Sequence, residues 1–365
     1  MRIRVLHVID HLGYGGAPVA VKNIAERMPG DRIESIVCAL RTNPNAMPID
    51  AQLINLGYHK YNPLVVIAVA KLCRQRKIDI IHAHLQKSVI SCLLAGFFCN
   101  AKIVIHEHGP IFRGGTGCIY RLALKALRSR AALAIANSQA AKDALSQAAG
   151  FGKDSIRVVS NFIDFARFDR TLYDRDKARD ALGITENQVA VGFVGRLDFC
   201  KGADLLLHAG AILCKKSDRY RFVIVGEGSQ KRELEQLVFR LGLDKKVIFA
   251  GLCKTPAEVM VAFDVAAVPS RREAFGIAAV EFMRMSVPVV ASAVGGLLEI
   301  VQHEKTGLLL DTLSPDAIAQ AVERLAQNEA LRHELTREAE AFSRKFDGRE
   351  QIEQLLKIYE KLKVY

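Results

Sequence analysis

The strongest constraint on this chain is a rhythm. Short apolar runs of strand length alternate with stretches of helical periodicity, and the series stops and restarts once. Arg2–Ile9 is an apolar run that ends at Asp10 and enters a glycine-rich turn, and helical periodicity follows from Pro18 to Arg27. Further runs at Ser35–Ala39, Asp79–Ala83, Lys102–Ile105 and Arg130–Ala136 continue the series, with a helical stretch from Lys87. Such β-α alternation predicts a parallel sheet with helices on both faces. Residues 161–188 are charged and lack long apolar runs, so they read as a linker with a small helix. The pattern then resumes with Val189–Val194, Arg221–Val225, Val247–Phe249, Val265–Val268 and Val287–Ala291. Helices follow Gly202, span Gln230–Leu241, and begin at Ser314-Pro315, a serine cap with proline in the first turn. A length of 365 residues suits two domains. The expected fold is therefore α/β, with two Rossmann-like doubly wound domains facing a cleft, over 1–168 and 169–345. The segment 346–365 places Ile352, Leu355, Leu356 and Tyr359 on one helical face, which is expected to pack back on the first domain.

Charge narrows the partners. A formal net charge of +12 attracts acidic ligands, whether nucleic acid, anionic lipid or phosphorylated substrate, and cannot choose among them. The eight cysteines contain no C-x-x-C pair and fit reduced thiols in a cytoplasmic protein. No signal peptide is expected, because Met1–Asp10 runs directly into a strand. The apolar stretch Val89–Cys99 is too short to span a bilayer, so any membrane contact would be peripheral.

Two loops carry anion chemistry. Gly195-Arg196-Leu197-Asp198-Phe199-Cys200-Lys201-Gly202 leaves a strand and opens a helix, so backbone amides and a helix N-terminus are available to phosphate. Arg196 can grip phosphate oxygens bidentately, and Lys201 adds a compact charge. The G-x-x-x-x-G-K-[ST] order of a P-loop is missing, and an ordinary basic turn would have the same composition. Pro269-Ser270-Arg271-Arg272-Glu273-Ala274-Phe275-Gly276 follows the strand Val265–Val268, and Glu281 lies eight positions after Glu273. A carboxylate accepts two hydroxyls at once, which suits vicinal sugar or ribose hydroxyls. The apolar neighbours Phe275, Ile277, Ala278, Ala279 and Val280 imply that Glu281 is buried, and a buried charge needs a partner or a ligand.

With these motifs in order, the chain resembles the retaining glycosyltransferases of family 4, which have the GT-B fold. The resemblance rests on Gly13-Tyr14-Gly15-Gly16, His108-Gly109, Asn137-Ser138 and the Asn161–Asp164 turn. In the second half it rests on Gly195-Arg196-Leu197, Lys201-Gly202, Gly226-Glu227-Gly228, Pro269-Ser270 and Glu273 through Glu281. It implies transfer of a sugar from a nucleotide-diphosphate donor, UDP before GDP, to a glycan or lipid-linked acceptor in cell-envelope polysaccharide or lipopolysaccharide synthesis. Arg196 and Lys201 would bind the diphosphate, Glu281 the ribose, and Glu273 the donor sugar. Gly195, Phe275, Gly276 and Ile277 would line the donor, and Gly15 and Gly16 would border its phosphates or the acceptor. Of His106 and His108, two candidates for one role, His108 is preferred because a glycine follows it, and it would stand near the transferred sugar, with His84 near the acceptor. No cofactor and no metal ion are implied. The family turn written Pro-Asn-Gly-x-Asp stands here as Ser160-Asn161-Phe162-Ile163-Asp164, without its glycine.

Other signals point less sharply. His82-Ala83-His84 and His106-Glu107-His108 each place two imidazoles on one face of a strand end, a pattern that zinc also uses, but polar cleft lining accounts for it. Asp174-Arg175-Asp176 copies the D-x-D of metal-dependent sugar transferases yet falls in the charged linker. Basic clusters at Lys71, Arg74, Arg76, Lys77 and at Arg121, Lys125, Arg128, Arg130 fit a solvated face or an anionic membrane surface. Nucleic acid is not expected, because aromatic interleaving is missing. The competing functions are a non-catalytic scaffold that keeps the fold and a nucleotide-sugar epimerase.

Overall fold

The computed structural model describes residues 2–59, 62–109 and 116–364, excluding the side chain of Thr116. The chain forms two compact units. One comprises the residues up to Phe162 together with those from Gly348, and the other is Ile163–Asp347. The division lies six positions before the 168/169 boundary read from the sequence.

Strands of the first unit are β1 (Ile3–Ile9), β2 (Ile33–Ala39), β3 (Gln52–Asn55), β4 (Ile80–His84), β5 (Lys102–Glu107), β6 (Ala131–Ala136) and β7 (Ile156–Val158). Among the described residues they make a parallel sheet in the order β3-β2-β1-β4-β5-β6-β7. Strand order reverses between β1 and β4. The loops leaving these strands diverge to opposite faces of the sheet there, and this opens the crevice in which doubly wound sheets bind ligands. The C-terminal helix Arg349–Val364 covers one face of this sheet. Its Leu355, Leu356 and Tyr359 join Ile3, Val5, Ile80, Val104 and Ile135 in one buried cluster.

The second unit repeats the plan with β8 (Val189–Val194), β9 (Tyr220–Val225), β10 (Val247–Gly251), β11 (Val265–Val268), β12 (Val289–Ser292) and β13 (Leu308–Leu310). Its order, β10-β9-β8-β11-β12-β13, reverses between β8 and β11. The loops after β8 and β11 are the two anion-friendly loops of the sequence, so both open at the reversal point.

The charged segment before β8 is not a linker between the units, since all of it from Ile163 belongs to the second one. Its charges are structural. Asp264, at the foot of β11, receives Arg175 at 2.6 Å, Arg179 at 3.1 Å and the backbone N–H of Ala190 in β8 at 2.8 Å. The helix Arg175–Ala181 thereby braces the two strands flanking the reversal. Asp174 caps that helix, accepting the N–H groups of Asp176 and Lys177. The D-x-D pattern is thus a helix start.

The missing glycine of the Asn161–Asp164 turn has a simple explanation. Phe162 avoids positive φ and lies buried against the C-terminal helix's cluster. Arg27 stands over its ring at 5.6 Å. Among the described residues, no helix is long and apolar enough to cross a membrane.

Candidate functional site

In the second unit the turn Phe199–Lys201 and Gly202 join β8 to the helix Ala203–Lys216. Asp198 accepts the N–H of Cys200 at 3.1 Å, which shapes the loop, and its carboxylate also holds Arg196 at 3.1 Å. The Arg196 side chain is otherwise 65% exposed, so its guanidinium can turn toward a ligand. Gly202 has φ 70°, and a Cβ there would lie 2.1 Å from the Pro269 carbonyl oxygen. Only glycine allows the β8 and β11 loops to approach this closely.

The loops are tied together by charge. Lys201 Nζ donates to Glu273 Oε2 at 2.5 Å, and Ser270 Oγ donates to the same oxygen at 3.2 Å. Arg271 grips Asp204 with both terminal nitrogens, at 2.7 and 2.6 Å, and donates to the Phe199 carbonyl at 3.0 Å. Its guanidinium lies 4.1 Å from the Phe199 ring centroid. The Arg271–Asp204 fork was not anticipated, because its partners stand 67 positions apart and nothing local in the sequence pairs them. Gly295 was also missed. Its φ is 52°, and a Cβ would meet the Glu273 carbonyl oxygen at 1.9 Å. The loop after β12 therefore backs the Glu273 backbone directly.

Gly276 precedes the helix Ile277–Arg284, which carries Glu281 in its second turn. Glu281 is buried. Among the described residues its carboxyl makes no hydrogen bond. Burial pushes its pKa up to about 8, opposed only by the charge of Arg167. A buried carboxyl without a hydrogen bond, on the helix that opens from the β11 loop, is suited to accept ligand hydroxyls. The structure thus places Gly195, Arg196, Lys201, Glu273, Phe275, Gly276, Ile277 and Glu281 on the loops and the helix that follow β8 and β11.

In the first unit, Gly15 and Gly16 begin the helix Gly16–Arg27 after β1. The carboxyl ends of β1, β4 and β5 bring together histidines. His7 pairs in register with His82, and His84 with His106. His7 Nδ1 is 3.3 Å from His84 Nε2, and His84 Nδ1 is 2.9 Å from His108 Nε2. His82 Nδ1 meets the Tyr359 hydroxyl of the C-terminal helix at 2.6 Å. Burial lowers all five imidazole pKa values, those of His7 and His108 to about 3, so the rings are neutral. His7 went unnoticed in the sequence, although it lies on the same face of the sheet as His82 and His84. Glu107 faces away, accepts the Tyr120 hydroxyl at 3.0 Å, and has its pKa raised by burial to about 7.

The backbone at this end of β4 is strained. Leu85 takes φ 70° and ψ 153°, a region that is nearly glycine-only. Ser88 Oγ donates to the Leu85 carbonyl at 3.2 Å, and Asp10 at the end of β1 accepts the Ser88 N–H at 3.1 Å. These bonds fix the His84–Leu85 corner at the reversal point. Strain of this kind persists only where surrounding contacts enforce it, and it clusters at functional sites.

Comparison with known proteins fits this geometry. Residues 174–342 match the model described as glycosyl transferases group 1, and residues 14–167 match glycosyltransferase family 4. An uncharacterized glycosyltransferase of Methanocaldococcus jannaschii is 30% identical over 274 residues, covering 72% of this chain and 70% of that protein. The chain belongs to the group 1 glycosyltransferases. This glycosyltransferase is also 34% identical over 238 residues to a D-inositol 3-phosphate glycosyltransferase of Saccharomonospora viridis, covering 62% of this chain. It spans only about half of that relative's length, 54%. Among solved structures, Anabaena HepE in complex with UDP superposes with a TM-score of 0.82 at 26% identity, covering 99% of this chain and 100% of that one. HepE is also known in complex with UDP-glucose, at a TM-score of 0.83 and 25% identity. The fold is therefore GT-B, and the protein is a transferase enzyme, which removes the scaffold alternative.

The raised pKa of Glu281 has a measurable consequence. The folded state holds this proton more tightly than the unfolded chain, whose carboxyl titrates near 4.5. Stability from this group is therefore fully present below that pH and is lost as pH rises toward about 8. In urea melts without ligand, Glu281→Gln is expected to flatten a decline on the order of 3 kcal/mol between pH 5 and 8.5. An unchanged pH profile in this variant would show that the carboxyl is not the source.

Proposed function

We propose that this enzyme transfers a sugar from a nucleoside-diphosphate sugar, UDP-linked in preference to GDP-linked, with retention of anomeric configuration. The acceptor is a glycan or lipid-linked glycan in cell-envelope polysaccharide or lipopolysaccharide synthesis. The observation that carries this reading is the Lys201–Glu273 pair at the β8/β11 reversal, with Glu281 buried close by in sequence. The HepE complexes with UDP and UDP-glucose support the choice of donor.

In this reading Lys201 and Glu273 neutralise one another until the donor arrives. The diphosphate then competes for Lys201, and Arg196 leaves Asp198 to grip a second set of oxygens. Glu273, released from its cation, accepts hydroxyls of the donor sugar, and Glu281 accepts those of the ribose. Charge accumulates on the diphosphate as the glycosidic bond breaks, and two fixed cations with the amides of two helix starts stabilise it. These cations supply what a metal ion would otherwise provide, so the reading requires no cofactor. Phe275, Gly276 and Ile277 line the donor, and Gly195 lets the β8 loop approach its phosphates. In the first unit Gly15, Gly16 and His108 serve the donor, and His84 serves the acceptor.

Peripheral contact with anionic membrane fits the surface of the first unit. The helix Leu64–Gln75 exposes Leu64 and Ile67 beside Lys71 and Arg74, and the helix Thr116–Leu127 exposes Ile119 and Leu122 beside Arg121 and Lys125. Phe97 and Phe98 are exposed after the helix Gln86–Ala95, which packs between these two. Apolar side chains that enter the acyl boundary, flanked by cations that attract headgroups, make an interfacial surface.

Two outcomes are expected. Lys201→Ala and Glu273→Ala each lower turnover with the donor about 10²–10³-fold while circular dichroism stays that of the parent. Full turnover in both would remove these residues from the site. The chain sediments with anionic vesicles at low salt, and Ile119→Glu weakens this. Indifference to vesicles at low salt would refute the membrane surface.

A further inference from the structure

From the first-unit histidines we infer a site for a divalent transition-metal ion of the zinc class, held by His84, His106 and His108 and separate from any need of the transfer reaction. These residues each offer one ring nitrogen, and the three nitrogens lie within 4.8 Å of one another. Metal–nitrogen bonds of about 2.0–2.1 Å in tetrahedral geometry set ligand nitrogens roughly 3.3–3.4 Å apart. His84 Nδ1 and His108 Nε2 are already 2.9 Å apart, so modest ring rotations complete the triad.

The second observation is polar satisfaction. His106 is 1% exposed, and neither of its ring nitrogens has a hydrogen-bond partner. A neutral imidazole carries one N–H and one lone pair, and leaving both unmade in a buried place costs free energy. His108 Nδ1 is buried as well. A cation bound by one nitrogen of each ring satisfies the lone pairs.

His7, His82 and His84 form a second close set, which shares His84. The outer set is favoured by access: His7 and His82 are fully buried, which leaves a hydrated ion no path to them. His108 is only partly buried, so the outer set lies nearer to solvent than the inner one, and three ligands leave the ion's fourth tetrahedral position open for water or another ligand. Three neutral nitrogens with an open position suit zinc, cobalt or nickel better than magnesium or calcium, which prefer oxygen. An ion here takes the nitrogens of His84 and His108 away from a sugar, so its occupancy opposes transfer.

The test uses the whole chain, stripped with a chelator and titrated with Co2+ and then Zn2+. Saturable binding of about one ion per chain is expected, with visible d–d absorption of low-symmetry cobalt that zinc displaces. His106→Asn should weaken binding more than tenfold, because even outer partners of a metal site are worth about 10–100-fold. His333→Asn, on an exposed helix, should bind as the parent does. Should His106→Asn fail to fold, electron paramagnetic resonance of the unaltered chain with Cu2+ is expected to show coupling to three ring nitrogens. No saturable binding, coupling to fewer nitrogens, or parental affinity in folded His106→Asn would overturn the inference. So would an affinity lost in His7→Asn and kept in His106→Asn, which would place the ion in the inner set.

Discussion

The ion pair between Lys201 and Glu273, 2.5 Å apart, joins the two loops that leave the second sheet where its strand order reverses. Reversal sends the following helices to opposite faces, so nothing in the sheet itself holds the loops together. They are held by this pair, by the Arg271 fork on Asp204, and by the close approach of Gly202 to the Pro269 carbonyl. Of these contacts, the ion pair uses groups of the kind that bind a phosphorylated sugar. Arg271 is different, since both of its terminal nitrogens are spent on Asp204, and its work is to hold the loops in place.

The first unit meets the same topological problem with other chemistry. Its reversal point is held by Asp10, which bonds Ser88, and by the enforced corner at Leu85. The imidazoles gathered beside it are kept neutral by burial.

Much of this was legible in the sequence, and what was missed has a physical pattern. Val189–Val194 and Val265–Val268 coincide with β8 and β11, central strands that are covered on both faces and so appear as unbroken apolar runs. The strands not anticipated, β3, β7 and β13, all lie at sheet edges. Residues 52–55 read Gln-Leu-Ile-Asn, and β7 and β13 have three residues each, too short for any period to show. Within the candidate site, residues that announce themselves by loop composition were found: Arg196, Lys201, Glu273 and Glu281. Residues that matter through distant partners were not. Asp204, Gly295 and His7 look ordinary until the fold brings them against Arg271, the Glu273 carbonyl and His84.

The central claim is that Arg196, Lys201 and Glu281 form a nucleoside-diphosphate site in the second unit. Calorimetric titration of the parent and of Lys201→Ala and Glu281→Ala with UDP, GDP and ADP addresses it most directly. Saturable binding of one nucleotide by the parent is expected, weakened more than about tenfold in each variant, as loss of a contact worth at least about 1.4 kcal/mol requires. Equal affinity in the parent and both variants, or no binding of any of the three nucleotides, would contradict the claim.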